Sequence, residues 1–105
     1  VGGCLGPIGE TLIKRGASGF NNIPNMLEWF DMDTLIALIS PRPCLIVAGK
    51  KDHIYPYYLS KKVIEKAKIV FKKDKAENNL ILIEGPRNHT YYPKLLWPTI
   101  MKFFK

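Results

Sequence analysis

The run Cys44-Leu45-Ile46-Val47-Ala48, closed by Gly49, restricts this chain more than any other feature. An apolar stretch without a polar break has no wet face, so as a strand it must be covered on both sides, as in a parallel sheet flanked by helices. A polar loop, Lys50-Lys51-Asp52-His53-Ile54-Tyr55-Pro56, follows. From Tyr58 to Phe71 the apolar residues Val63, Ile64, Ala67, Val70 and Phe71 recur at helical spacing. Glu65 lies within one turn of Lys61, Lys62 and Lys68, which adds a little helix stability. After a polar turn from Lys72 to Asn79, Leu80 to Ile83 reads as a second strand, ending at Gly85-Pro86-Arg87-Asn88. A last helix is expected from Pro93, which suits a first helical turn, to Phe104. Its core face would be Leu96, Ile100, Phe103 and Phe104, and Pro98 implies a kink or a start one turn later.

Strand, helix and strand at this spacing make a crossover unit with parallel, adjacent strands. Upstream, the first thirty residues are rich in Gly, Asn and Pro and read as turns and loops. Asp33 is positioned to cap a short helix, Thr34 to Ile39, which must end before Pro41 and Pro43. Two strands cannot cover their own edges, so residues 1–105 read as one segment of a single, larger α/β domain. On its own the chain is expected to be poorly stable or self-associating, because Leu45, Ile46, Val47, Leu80 and Leu82 are patterned for a wider sheet. Sedimentation and amide exchange test this. A monodisperse monomer with strongly protected strand amides would mean that the domain is complete.

Composition excludes several classes. Nearly half the residues are apolar and about a quarter charged, an ordinary globular balance. No apolar run nears the roughly 18 residues that span a bilayer, so no membrane partner is expected. No signal peptide is visible at Val1-Gly2-Gly3-Cys4. The net charge of +7 raises the question of a nucleic-acid partner. Its distribution argues against one: Lys61, Lys62, Lys66, Lys68, Lys72, Lys73 and Lys75 cluster on one amphipathic segment, as a solvated helix face does. Lysine outnumbers arginine 13 to 3, and arginine is the residue that reads phosphates and bases bidentately. Of the two cysteines, Cys44 reads as a buried small hydrophobe. Cys4, Cys44, His53 and His89 contain no ligand pair at zinc spacing, so neither metal nor cofactor is expected.

Two titratable residues occupy the positions where chemistry gathers in open α/β sheets, beyond the carboxyl ends of the strands. Asp52 lies four residues past Ala48, and His89 six past Ile83. Gly49 and Gly85 precede them, and glycine allows tight turns off strand ends. With neighbouring strands, Asp52 can reach an imidazole nitrogen of His89. An Asp that holds one His tautomer and stabilises its protonated form is the acid–base half of a Ser-His-Asp triad. The order, acid before His, is that of hydrolases whose nucleophile comes first. The bland reading is that Asp52 is a turn former and His89 a surface residue.

The segment Ser40-Pro41-Arg42-Pro43-Cys44-Leu45-Ile46-Val47-Ala48-Gly49-Lys50-Lys51-Asp52-His53-Ile54-Tyr55-Pro56 resembles the Pro-Arg-Pro to Asp-x-x-x-Pro stretch of dienelactone-hydrolase-like and acetyl-xylan-esterase-like α/β-hydrolases. Asn22-Ile23-Pro24, Glu28-Trp29-Phe30-Asp31-Met32 and the Gly85-to-Pro98 region are similar to the second branch. The resemblance implies the C-terminal part of an α/β-hydrolase fold, with Asp52 as triad acid and His89 as triad base. It implies a small ester or acetylated carbohydrate as substrate, and the remainder of the hydrolase domain as partner. His53 stands where the family often has Pro, and Arg87-Asn88 where it has Gly-Gly or Gly-Asn, and neither change removes a triad group. His53 is expected to be an exposed loop residue.

No Gly-x-Ser-x-Gly elbow is present, and Ser18 in Gly16-Ala17-Ser18-Gly19 follows no apolar strand, so it reads as loop. The expected function is therefore a segment of a serine carboxylic-ester hydrolase, supplying acid and base but no nucleophile and inactive alone. The alternatives are a non-catalytic basic interaction or nucleic-acid-binding module, and a truncated relative kept as an interaction domain. Clustered Arg with interleaved exposed aromatics would favour the nucleic-acid reading.

Overall fold

The computed structural model describes residues 5–16 and 23–103. The apolar runs become strands β1 (Cys44–Gly49) and β2 (Leu80–Gly85), each extending through its closing glycine. They pair in parallel, in a register that runs from Cys44 beside Leu80 to Gly49 beside Gly85. Helix α1 (Met32–Ala37) precedes β1, α2 (Tyr57–Lys73) joins the strands, and α3 (Pro93–Phe103) follows β2. The described residues thus form a small α/β protein with two parallel strands and several helices.

Side chains alternate along a strand, so Cys44 and Ile46 share a face with Leu80 and Leu82. That face meets Val63, Ile64, Ala67 and Phe71 of α2 and Ile36 of α1 to form the core. Burying a side chain such as Phe71 or Ile46 contributes roughly 1.5–3 kcal/mol. Cys44 belongs to this core, and burial pushes its thiol pKa up, as befits an inert hydrophobe. Along β1, Ile46, Val47 and Ala48 are each only 1% exposed. In β2, Ile81, Leu82 and Ile83 are half-buried. Full cover on both faces therefore holds for most of β1 and not for β2, because α3 packs chiefly on β1.

The helices depart from the sequence expectations at their ends. Asp31, not Asp33, caps α1: its backbone is extended and its Oδ1 accepts from Met32 N at 2.6 Å. The same oxygen accepts from Ile8 N at 3.0 Å, a long-range contact that selects between the two aspartates. Helix α2 runs two residues past Phe71 and ends in a Schellman motif. Ala76 N donates to Phe71 O at 2.8 Å, Lys75 N donates to Lys72 O at 3.0 Å, and Lys75 sits in the left-handed region at φ 56°. The lysines of this segment are exposed apart from Lys68, which is half-buried. Lys61 pairs with Glu65 and Lys62 with Glu10. The Lys62 hydrogen bond holds the Glu10 carboxyl below its usual range and raises the Lys62 ammonium in return.

Helix α3 starts at Pro93 and continues through Pro98. Proline has no N–H, so it cannot donate to the Lys94 carbonyl. Leu96 is buried, Ile100 and Phe103 are half-buried, and Phe104 lies outside the described residues. The upstream region also holds more structure than its composition suggested, a π turn over Gly9–Ile13 and a 3-10 turn over Met26–Glu28. Among the described residues, no helix is long and apolar enough to cross a membrane.

A lysine in the left-handed region is strained by its Cβ, and glycine is not. Lys75→Gly should therefore stabilise the fold by about 1 kcal/mol, a gain offset in part by the greater freedom of glycine in the unfolded chain. A urea titration would show a higher midpoint with an unchanged slope.

Candidate acid–base site

Where β1 ends, its ladder carries on into the loops. Lys50 N donates to Gly85 O at 2.8 Å and Lys51 N to Arg87 O at 3.0 Å, so the loop after β1 stays bonded to the loop after β2. Asp52 N then turns back to Gly49 O at 3.2 Å, which sends the Asp52 side chain inward. Its side chain is 1% exposed, a position a carboxylate tolerates only when its oxygens are hydrogen-bonded. They are. Ile54 N and Tyr55 N donate to Oδ1 at 2.8 and 2.9 Å, and His89 Nδ1 lies 2.8 Å from Oδ2. Pro56 follows in extended backbone and α2 begins, so the carboxylate is fixed between a strand end and a helix start.

His89 comes from the irregular stretch between β2 and α3. The geometry expected of neighbouring parallel strands is what the structure has: Asp52 and His89 are brought together at their carboxyl ends. A carboxylate only accepts, so the proton of a neutral His89 sits on Nδ1 and the lone pair on Nε2. The His89 side chain is 47% exposed, and Nε2 has no hydrogen-bond partner among the described residues. The ring stands 6.4 Å from that of the buried Tyr55, tilted by 30°. Chemically, this pair can take a proton at Nε2 and stabilise the resulting imidazolium through Oδ2.

Gly49 and Gly85 act differently from the expectation. Neither has positive φ, so they are not needed as turn formers. They are needed for close approach. A Cβ on Gly49 would run into the Asn88 and Arg87 carbonyl oxygens, and one on Gly85 would lie 2.5–2.8 Å from ring carbons of Tyr92. Tyr92 is the residue that sequence reasoning missed. Its hydroxyl donates to Asn88 O at 2.8 Å and accepts from Arg87 N at 3.1 Å. The only sequence signal for it was its place just before Pro93, where a helix was expected to start.

The other candidates fall outside the pair. His53 is exposed, and its carbonyl accepts from Arg15 Nη2. Ser18 and Cys4 lie outside the described residues. Among the described residues no hydroxyl or thiol is hydrogen-bonded to His89, and no group of three or more His, Cys, Asp or Glu is placed to hold a metal. A cleft of about 390 Å³ lined by Arg87, Thr90, Tyr91 and Lys94 adjoins the His89 loop. A larger one, of about 500 Å³, lies between Glu10, Asp31 and Lys62. Neither is lined by Asp52 or His89. No protein family, curated protein or solved structure matches the chain, so the functional reading rests on residues and geometry.

Asp52→Asn tests the tautomer. The Asn carbonyl can keep the Ile54 and Tyr55 N–H groups, which turns its NH2 toward Nδ1 and makes that nitrogen an acceptor. With the ring neutral, long-range ¹⁵N correlation should show the proton on Nδ1 in the native chain and on Nε2 in the variant. A native ring protonated on Nε2 would contradict the hydrogen bond described here.

Proposed function

We propose that this chain carries the acid and base of a serine carboxylic-ester hydrolase of the α/β-hydrolase type, with the nucleophile on another segment of the same enzyme. The observation that carries the reading is the 2.8 Å contact between a 1%-exposed Asp52 carboxylate and the Nδ1 of a half-exposed His89. A turn-forming Asp and a surface His do not require this combination. Two parallel strands with a site beyond their carboxyl ends occur in many α/β proteins, so the fold alone selects no reaction. The oriented imidazole supports proton-transfer chemistry, and the Pro41-Arg42-Pro43 to Asp52-x-x-x-Pro56 motif points to esters.

In this proposal a serine hydroxyl attacks the ester carbonyl while His89 Nε2 accepts its proton. Asp52 Oδ2 stabilises the imidazolium that forms, and does not itself take the proton. His89 then gives the proton to the departing alkoxide, leaving an acyl-enzyme. Water, activated by the same nitrogen, hydrolyses it. Backbone amides of the nucleophile-bearing segment would hold the oxyanion. Acetylated sugars and similar small esters are the proposed substrates, on the strength of the resemblance, and no step calls for a cofactor. The half-buried face of β2 gives this proposed remainder of the domain a surface to cover.

Turnover of an activated acetyl ester by the complete enzyme is the test. Asp52→Asn should lower it by about 10⁴ through the wrong tautomer, and His89→Ala by at least as much. Loss of a triad serine costs about 10⁶, so the 105-residue chain alone should show no ester hydrolysis. Near-normal turnover with His89→Ala would refute the proposal. Activity in the isolated chain would reveal a nucleophile within it.

A further inference from the structure

We infer that Tyr92 is the positioning residue of this site, its hydroxyl setting the angle at which His89 meets Asp52. In its catalytic consequence the inference rests on the proposed acid–base role of the pair, while its geometric content does not. His89 sits in the irregular stretch Pro86–Thr90, among residues that are all exposed. Three hydrogen bonds tie the backbone of that stretch to the rest of the described protein, Lys51 N to Arg87 O, Arg87 N to the Tyr92 hydroxyl, and the Tyr92 hydroxyl to Asn88 O. Two of the three belong to one oxygen atom. They hold the two residues immediately before His89, and so the origin of its side chain.

Tyr92 is itself held from two directions. Its carbonyl accepts from Leu95 N and Leu96 N, each at 3.1 Å, which makes it the residue on which α3 starts. Its ring lies over Gly85, and its oxygen would be 3.0 Å from a Cβ on Gly49. The hydroxyl therefore has its place fixed by the paired glycines and by the first turn of α3, and passes that position on to Asn88 and His89. Tyr91, beside it, is 63% exposed and makes no hydrogen bond of its own among the described residues, so the two tyrosines form an internal comparison.

Tyr92→Phe removes the hydroxyl and keeps the ring over Gly85. The freed Arg87 N–H and Asn88 carbonyl belong to exposed residues that water can reach, so the fold should survive with a melting temperature close to native. The tautomer of His89 should not survive intact. Long-range ¹⁵N correlation on the full chain should show Nδ1–H in the native protein, a shift toward Nε2–H in Tyr92→Phe, no change in Tyr91→Phe, and recovery with 4-aminophenylalanine at position 92, which restores a donor to Asn88. In the complete enzyme Tyr92→Phe should lower kcat about 10- to 100-fold with KM nearly unchanged, the expected cost of a misplaced catalytic group. A native tautomer ratio in folded Tyr92→Phe overturns the inference. So does a Tyr92→Phe chain that unfolds, since the hydroxyl would then be needed for the fold rather than for the angle. Should His89→Ala leave turnover intact, the esterase reading fails while the tautomer ratio still decides the role of Tyr92.

Discussion

Gly49 stands beside Gly85 in the strand register, and much of the candidate site depends on that pairing. Two adjacent positions without side chains leave a notch at the carboxyl end of the sheet. The backbone of Arg87 and Asn88 approaches over Gly49, and the ring of Tyr92 fills the space over Gly85. A methyl group at either place would displace backbone or an aromatic ring, neither of which can yield cheaply in a packed structure. The pairing also brings the two loops close enough for Lys50 and Lys51 to continue the ladder into them. The short distance between Asp52 and His89 follows from this register, because a parallel pair sends both loops off the same end.

Burial of the carboxylate is the second constraint, and it is met locally. Oδ1 is occupied by two backbone N–H groups of its own loop, so Oδ2 is left for a partner from elsewhere. That division orients the carboxylate before His89 arrives. It also connects the site to the main core, since the loop that supplies those N–H groups leads through the buried Tyr55 and Pro56 into α2. Helix α2 in turn buries Leu59, Val63, Ala67 and Phe71, so the acid rests on the best-packed part of the molecule. The base rests on an exposed loop and on α3. One partner of the pair is rigid by packing, and the other is held by a few hydrogen bonds.

The parts of this arrangement legible in the sequence are those with a period or a special position. Strand β1 is an unbroken apolar run, α2 repeats apolar residues at helical spacing, and Asp52 and His89 follow strand ends. The parts that were not legible depend on contacts between distant residues. Asp31 is chosen over Asp33 as the cap of α1 by a hydrogen bond from Ile8, 23 residues away. The end of α2 was hidden because Lys75 occupies the left-handed position where Gly is the usual signal. The π turn at Gly9–Ile13 and the 3-10 turn at Met26–Glu28 are too short to show periodicity. Gly49 and Gly85 stand out in the sequence as turn formers, whereas their need for close approach depends on Arg87, Asn88 and Tyr92, which only the fold brings near. Tyr92 could not stand out from Tyr91, because its role exists only once the strand register is known.

The contrast in exposure within the pair, 1% for the Asp52 side chain and 47% for His89, indicates how such a site would be completed. Asp52 is buried with both oxygens hydrogen-bonded, which leaves it almost no surface for a further group to approach. The imidazole keeps Nε2 uncommitted among the described residues, and that nitrogen is where a second group must bind if the pair is to transfer a proton. General acid–base transfer needs that group within hydrogen-bond reach and works best where water is excluded. The described residues leave 47% of the His89 side chain exposed, and the clefts of about 500 and 390 Å³ are lined by neither Asp52 nor His89. Under the proposed function, the surface that shields His89 is therefore the surface that delivers the nucleophile, and one docking event would both complete the sheet and close the site.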